Sequence, residues 1–94
     1  MSQKFPKPKI IYADIDGTLL INGRLNRALI SRLRENKSEG YKIYLWSMQG
    51  LTYAEKFADT HKITDLFEQI LPKPGFIVDD MGWGWTKYTR KLRL

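Results

Sequence analysis

Two aspartates, Asp14 and Asp16, stand one residue apart at the end of an apolar run, in the sequence IYADIDGTLL (residues 11–20). Two like charges beside a buried strand repel each other and cost desolvation free energy. A bound metal ion, chemistry on a phosphate group, or a solvated turn in which the aspartates bond to their own backbone would each account for them. An EF-hand calcium loop is excluded, because this chain has Leu19 and Leu25 where that loop needs glycine and glutamate.

Other polar side chains follow later apolar stretches of the chain. Ser47 ends YKIYLWS, Lys73 lies in LPKPG, and Asp79 and Asp80 end GFIVDD. Each has an ordinary explanation: a strand-end serine, a turn lysine held extended between prolines, and an acidic helix cap. In an open parallel sheet, however, ligands bind beyond the carboxyl ends of the strands. Four such features in order, each at a predicted strand end, favour one shared site.

The strands that would bring these residues together are predicted from β-branched and aromatic content. They cover residues 9–15, 41–47, 66–71 and 75–80. A small hairpin is expected around Asn22-Gly23, because both residues tolerate positive φ.

Two helices are predicted between the strands. The first covers residues 26–37, where Leu29 and Leu33 recur at helical spacing. The second begins with the capping-box pattern Thr52-x-x-Glu55 and is expected to bury Tyr53, Ala54, Phe57 and Ala58. Alternating strands and helices indicate an α/β fold with a parallel sheet and right-handed crossovers.

Length and composition restrict the function classes. A chain of 94 residues with 43% hydrophobic residues fits one globular domain, residues 1–94. The absence of cysteine excludes a disulfide framework, a thiolate nucleophile and a zinc–thiolate site. The first residues lack the apolar segment of a secretory signal, and no stretch approaches the roughly 18 apolar residues of a membrane span, so we expect a cytoplasmic protein.

The net charge of +6 is concentrated in two terminal arms, residues 1–9 and 86–94, which carry basic residues and no acidic ones. Residues 10–85 hold nine basic and ten acidic residues, a net charge of −1. Such arms bind nucleic acid or an acidic surface in some proteins and only improve solubility in others.

The chemistry that needs this residue set is phosphoryl transfer. Hydrolysis of a phosphate monoester requires an in-line nucleophile and neutralisation of charge on the transferring group. A carboxylate can serve as nucleophile and form an aspartyl-phosphate. Mg²⁺ held by carboxylates, together with Lys73, would screen the repulsion between two anions. The hydroxyl of Ser47 and the helix N-terminus after Gly50 would offer donors to the phosphate.

Four motifs, DIDGTLL, YLWS, the lysine of LPKP, and IVDD, resemble in order those of the haloacid dehalogenase-like (HAD) superfamily. The resemblance extends over residues 10–80. It implies a three-layer Rossmann-like α/β fold with a small, mainly parallel sheet and the first strand at its centre. It also implies that the hairpin at Asn22-Gly23 is a flap over the active site.

The resemblance assigns roles to individual residues. Asp14 corresponds to the nucleophile and Asp16 to the general acid and base, and an aspartate at position 16 is typical of the phosphatases of the family. The implied phosphate-binding residues are Ser47, Met48 and Lys73. The implied Mg²⁺ ligands are Asp14, the carbonyl of Asp16, Asp79 and Asp80.

The chain departs from typical members of the family in two ways. It has no room for a cap domain, and it ends about fourteen residues after the fourth motif. Capless relatives tend to act on macromolecules or to borrow a neighbouring subunit as a lid, and an unpaired edge strand would favour a homo-oligomer.

Trp83 and Trp85 are consistent with more than one class of substrate. With the basic arm that follows, they suit stacking against single-stranded nucleic acid. They also suit covering the sheet edge, which we favour for so small a domain. His61 is read as a solvated helix-end residue. Three hypotheses remain: a phosphatase of small phosphorylated metabolites or nucleotides, a phosphatase of nucleic-acid ends or phosphoproteins, and a non-catalytic binding domain.

Overall fold

The computed structural model describes residues 7–92. Residues 1–6 of the amino-terminal basic arm and residues 93–94 of the carboxyl-terminal arm lie outside the described residues. The elements, in chain order, are β1 (Ile10–Ala13), β2 (Leu20–Ile21), β3 (Arg24–Leu25), α1 (Arg27–Ser38), β4 (Lys42–Ser47), α2 (Leu51–Thr60), a 3₁₀ helix (Thr64–Leu66), β5 (Gln69–Pro72) and a second 3₁₀ helix (Gly82–Tyr88). The expected α/β class is confirmed.

Three strands form a parallel sheet in the order β1–β4–β5. Ala13 at the end of β1 is opposite Leu45, and Ser47 at the end of β4 is opposite Pro72. Because all three strands run the same way, their carboxyl ends lie at one edge of the sheet. Within residues 7–92, β4 is the central strand and β1 is an edge strand, so the implied central position of the first strand is wrong.

Both main helices pack on the same face of this sheet. The strand order advances in one direction, so right-handed crossovers place α1 and α2 on one side. The burial pattern supports this arrangement, because alternate residues of the strands are buried in the same core as residues of both helices. The core consists of Ala13, Ile15, Leu19, Leu29, Ile30, Leu33, Ile43, Leu45, Ala54, Phe57, Ala58, Ile63, Leu66 and Phe67.

The opposite face of the sheet carries aromatic side chains. The Tyr12 and Tyr44 rings stack with centroids 5.1 Å apart, and Trp46 meets Tyr12 edge-on at 4.8 Å. None of the three is buried. In residues 7–92, α1 and α2 therefore form one layer and the sheet a second layer with an accessible aromatic face.

The hairpin and the first helix are confirmed. Asn22 and Gly23 have φ of 51° and 74° and connect β2 to β3, because both residues adopt the left-handed conformation that the turn requires. The helix predicted at residues 26–37 is α1. Among the described residues, no helix combines the length and the apolar character needed to cross a lipid bilayer.

The capping box predicted for the second helix is wrong. Helix α2 begins at Leu51, so Thr52 is already helical, and the N-cap Gly50 has no side chain to bond the first turn. Gly50 has φ of 99°, which allows the chain to turn sharply from β4 into the helix.

The fourth predicted strand is also wrong. Residues 76–79 have no regular secondary structure, and Phe76 and Val78 are 96% and 104% exposed. A strand needs a ladder partner as well as β-branched and aromatic residues. The third predicted strand is confirmed with a shifted boundary, because Thr64–Leu66 is a 3₁₀ helix and β5 begins at Gln69.

The one-sided core predicts a large difference between two isoleucines of the sheet. Ile43 in β4 is 1% exposed and Ile10 in β1 is 45% exposed. We expect Ile43→Ala to lower the free energy of unfolding by about 2–5 kcal/mol, through lost burial and a cavity. The matched Ile10→Ala should cost less than about 1 kcal/mol. Urea unfolding followed by circular dichroism measures both, and equal costs would contradict the assignment of the buried face.

Candidate functional site

The loop after β1 holds the two aspartates in a fixed place. Ile15 and Leu19 are fully buried and anchor the loop in the core. Backbone hydrogen bonds from Thr18 and Leu20 to the Ile15 carbonyl close it into a tight turn. Asp14 and Asp16 flank the buried Ile15, so their carboxylates remain at the surface of this edge of the sheet.

Lys73 reaches Asp14 across the carboxyl end of the central strand. The Lys73 backbone N–H donates to the Ser47 carbonyl at 3.0 Å, which extends the β4–β5 ladder by one residue. The Lys73 ammonium lies 3.2 Å from Asp14 Oδ1. It also lies 5.4 Å from the centroid of the Trp46 ring. The ends of β1, β4 and β5 therefore meet at one partly exposed ion pair.

Asp14 has a second partner within its own loop. The Thr18 hydroxyl donates to Asp14 Oδ2 at 3.4 Å, while Lys73 occupies the other oxygen. The Lys73 ammonium and the Thr18 hydroxyl thus each hold one oxygen of the Asp14 carboxylate. Because the pair is partly exposed, its contribution to stability is small, up to about 1 kcal/mol.

Asp16 is held by two side chains that the sequence did not single out. Gln49 Nε2 donates to Asp16 Oδ2 at 2.8 Å, and the Tyr53 hydroxyl donates to Asp16 Oδ1 at 2.9 Å. Gln49 lies in the turn after β4, and Tyr53 is in the first turn of α2. Asp16 thus accepts one hydrogen bond on each of its carboxyl oxygens.

The pKa of Tyr53 is raised from its ordinary value of 10.0. The hydrogen bond to Asp16 is the main cause, followed by burial and the negative charge of Asp16, with a smaller effect of Asp14. Each of these favours the neutral phenol. Tyr53 is therefore a neutral hydrogen-bond donor at physiological pH. The negative charges of Asp14 and Asp16 both contribute to its raised pKa.

Ser47 is buried at the end of β4. Its hydroxyl oxygen accepts from the Gln49 backbone N–H at 3.0 Å, a local turn bond that serine often makes after a strand. The same turn places the Gln49 side chain where it donates a hydrogen bond to Asp16. The Ser47 oxygen is thus engaged in the turn, and the hydroxyl proton is the part of the group that can be offered to an anion.

The hairpin is tied to the acidic loop through Asn26. Its side chain accepts from the Leu29 N–H as the N-cap of α1 and donates to the Thr18 carbonyl at 3.1 Å. The Asn26 backbone N–H donates to the Leu19 carbonyl at 2.7 Å. The flap expected from the family resemblance therefore begins and ends beside the aspartates.

The structure brings four of the expected residues to one edge and leaves others apart. Asp14, Asp16, Ser47 and Lys73 are linked by the bonds above, whereas Met48 is an exposed turn residue next to Ser47. The expected gathering of Asp79 and Asp80 with Asp14 is not formed: Asp79 Oδ1 accepts from the Met81 N–H instead. These two residues lie in the segment that did not form a strand.

A magnesium ion was expected at this edge of the sheet. Within residues 7–92, no three acidic, histidine or cysteine side chains gather as a metal-binding group. Mg²⁺ does not require such a set, since it usually keeps several waters and binds one or two carboxylates together with substrate phosphate. The hard oxygens of Asp14 and Asp16 fit that kind of site, and the four-ligand protein shell does not fit.

Sequence reasoning missed Thr18, Gln49 and Tyr53 as members of this site. Tyr53 was expected in the core, and its ring is half-buried there while its hydroxyl reaches Asp16. The available signal was its position in the first turn of the helix that follows Ser47. Gln49 could have been found as the polar residue of the strand-to-helix turn.

Comparisons with known proteins do not assign this chain to a family. It matches no family model, no curated protein and no solved structure. The assignment of function therefore depends on the motifs and on the contacts between them.

The bond between Tyr53 and Asp16 predicts a linked titration. Asp16→Asn should lower the pKa of Tyr53 toward 10.0, because it removes the charge and weakens the acceptor. In the unsubstituted protein, the stabilisation from this bond is complete below 10.0 and is lost as the pH rises through the raised pKa of folded Tyr53. Alkaline titration of ¹³C-labelled tyrosines by NMR, with Tyr53→Phe for assignment, measures the change.

The control for this titration is Asp65→Asn. Asp65 is an exposed carboxylate that pairs with Arg34 at 3.1 Å, away from Tyr53. This variant should leave the Tyr53 titration in place. An unchanged midpoint in Asp16→Asn would show that the Tyr53–Asp16 bond is not formed in solution.

Proposed function

We propose that the chain is a small, capless HAD-type phosphatase, a cytoplasmic hydrolase that acts on phosphoric monoesters through an aspartyl-phosphate. The observation that carries the proposal is the Lys73–Asp14 ion pair at 3.2 Å, which joins the first and third motifs across the end of the central strand. A lysine beside a nucleophilic carboxylate is the arrangement that attack on an anionic phosphate requires, since the ammonium offsets charge repulsion. The proposal concerns the chemistry of the site and does not extend to the three-layer architecture, because α1, α2 and the sheet form two layers within residues 7–92.

The reaction divides into two displacements. In the first, an oxygen of Asp14 attacks phosphorus, the bond from phosphorus to the leaving oxygen breaks, and Asp16, protonated from solvent, gives that oxygen its proton. In the second, Asp16 takes a proton from water as the water attacks the phosphorus of the aspartyl-phosphate. The bond from phosphorus to Asp14 then breaks, and inorganic phosphate leaves.

Neighbouring residues position these groups. Lys73 is placed by its backbone bond to Ser47 and can pass from Asp14 to a phosphate oxygen with little movement. Gln49 and Tyr53 each donate to one oxygen of Asp16, which leaves further lone pairs on both oxygens to carry and transfer a proton. Both residues are therefore positioning residues that fix the orientation of the Asp16 carboxyl group.

Mg²⁺ fits beside Asp14 and Asp16, with water and substrate phosphate as its other ligands. When bound, it would supply positive charge that stabilises the transferring phosphoryl group.

Asp14→Asn tests the nucleophile directly. We expect hydrolysis of p-nitrophenyl phosphate in the presence of Mg²⁺ to fall by about 10³-fold or more, because the amide cannot form the phosphorylated intermediate. Asp16→Asn should lower turnover by about 10²–10⁴-fold through loss of the acid and base. Initial rates across a substrate range, with circular dichroism to verify folding, measure these effects.

Asp65→Asn provides the matched control, since it removes the same charge from an exposed carboxylate outside the site. It should retain full turnover. Turnover in Asp14→Asn equal to that of the unsubstituted protein would overturn the assignment of the nucleophile. No turnover in any form, with phosphate still bound, would instead support the non-catalytic binding domain.

A further inference from the structure

A groove of about 1100 Å³ runs along β1, and Asp14 is among the residues that line it. Strand β1 pairs only with β4 in the described sheet, so its other edge faces this groove. The second wall is the second 3₁₀ helix and the residues after it, including Trp83, Trp85 and Arg90. The groove is larger than the roughly 300–1,000 Å³ typical of small-molecule pockets.

The first wall of the groove begins at the proposed catalytic ion pair. Trp46 lines the groove and lies under the Lys73 ammonium, and Tyr12 meets Trp46 edge-on. Tyr12 and Asp14 are two residues apart and share one side of β1. The aromatic face of the sheet therefore continues directly from the carboxylate that would attack phosphorus.

The second wall is aromatic as well. The rings of Trp83 and Trp85 lie 6.0 Å apart at 36°, and both line the groove. They are 55% and 36% exposed, whereas residues that seal a sheet edge would be buried. The favoured expectation that they cover the edge is therefore not met in the described structure. All three tryptophans of the chain, which are Trp46, Trp83 and Trp85, therefore line this groove.

The charges of the groove are almost all positive. Lys7, Arg90 and Lys91 line it, and Asp14 is its acidic residue within the described chain. The Lys7 ammonium donates to the Tyr88 carbonyl at 2.8 Å, which brings the basic residues before β1 to those after the 3₁₀ helix. Lys7 precedes β1 and Asp14 follows it, so the basic residues that gather around Lys7 and Tyr88 lie at the end of the groove away from Asp14.

We infer that this groove binds the end of a single-stranded nucleic acid, with the terminal phosphate at Asp14 and Lys73 and the neighbouring bases against Trp46, Tyr12, Trp83 and Trp85. The inference rests on the proposed phosphatase and names its substrate class. Bases stack on aromatic side chains whatever their sequence, and basic residues follow the phosphate backbone. Duplex DNA buries its bases in a stack, so it does not offer them to such walls.

The test measures binding in an Asp14→Asn background, so that the terminal phosphate is retained. The probes are labelled single-stranded oligonucleotides carrying a 3′-phosphate or a 5′-phosphate, followed by fluorescence anisotropy. We expect binding of at least one of them, accompanied by a change in tryptophan fluorescence because every tryptophan lines the groove. Anisotropy that rises with no change in tryptophan fluorescence would overturn the inference.

Substitutions of Trp83 and Trp85 test whether the second wall of the groove contacts the bases. Trp83→Ala or Trp85→Ala should weaken binding of the single strand by about 5- to 150-fold, the value of one base stack. Phe76→Ala is the matched control, because Phe76 is a fully exposed aromatic residue outside the groove, and it should leave binding unchanged. Equal effects of all three substitutions would contradict the inference.

The basic wall is tested through salt dependence. Removing two phosphate contacts with Arg90→Ala and Lys91→Ala should reduce the slope of log K against log salt concentration by about 1.4. The charge-matched pair Arg27→Ala and Lys56→Ala lies on the exposed sides of α1 and α2 and should leave the slope unchanged. The same reduction with both pairs would indicate attraction to net charge alone and would overturn the inference.

Failure of this inference and failure of the proposed function are separable. Hydrolysis of p-nitrophenyl phosphate without binding of either oligonucleotide would overturn the inference and leave the phosphatase in place. Binding with the expected tryptophan effects but without hydrolysis would support the nucleic-acid site and overturn the phosphatase. A stable dimer in analytical ultracentrifugation, with no oligonucleotide bound, would overturn the inference and favour a second copy of the chain as the partner of this surface.

Discussion

The structure depends on the parallel alignment of β1, β4 and β5, because only that alignment places the ends of three distant segments together. Asp14, Ser47 and Lys73 are far apart in the chain, and each follows or ends a different strand. The buried face of the sheet fixes the register, since a slip of one residue would expose Ile43 and Leu45 and turn Lys42, Tyr44 and Trp46 toward the helices. The Lys73–Asp14 ion pair is thus a consequence of core packing, and the pair itself contributes little stability.

The same strand order explains why a long aromatic groove exists in so small a domain. With α1 and α2 on one face, the other face must be covered by later residues or left accessible, and the described segment after β5 has no regular structure until the 3₁₀ helix. Tyr12, Tyr44 and Trp46 cover part of this face by packing on one another. Stacking covers one face of the Tyr12 ring and one face of the Tyr44 ring, and the cluster remains partly exposed, which is a different outcome from burial under a third layer.

Local patterns in the sequence predicted most of the elements, and, apart from the capping box at Thr52, failures occurred where a distant partner decides the conformation. Asn22-Gly23 and the leucines of α1 encode their structures through turn geometry and helical spacing, so both predictions were correct. The segment at residues 75–80 has strand-like composition, but no local pattern shows whether a partner strand will accept it. The hydrogen bond of Tyr53 was missed for a similar reason: periodicity correctly places its ring against the core, whereas the partner of its hydroxyl lies in a loop that is distant in sequence.

The charge balance of the site limits how a phosphate can be bound. Asp14 and Asp16 contribute two negative charges and Lys73 one positive charge, so the cluster is anionic before any substrate arrives. A phosphate monoester adds further negative charge at the same place, and Lys73 alone cannot offset it. Positive charge must therefore come from outside the cluster, and two sources are consistent with the structure: a magnesium ion held largely by water and phosphate, and the basic wall at Arg90 and Lys91. In the proposed reaction, the ion would stabilise the phosphoryl group and the basic residues would bind the chain that carries it, so the two sources of positive charge would act on different parts of one substrate.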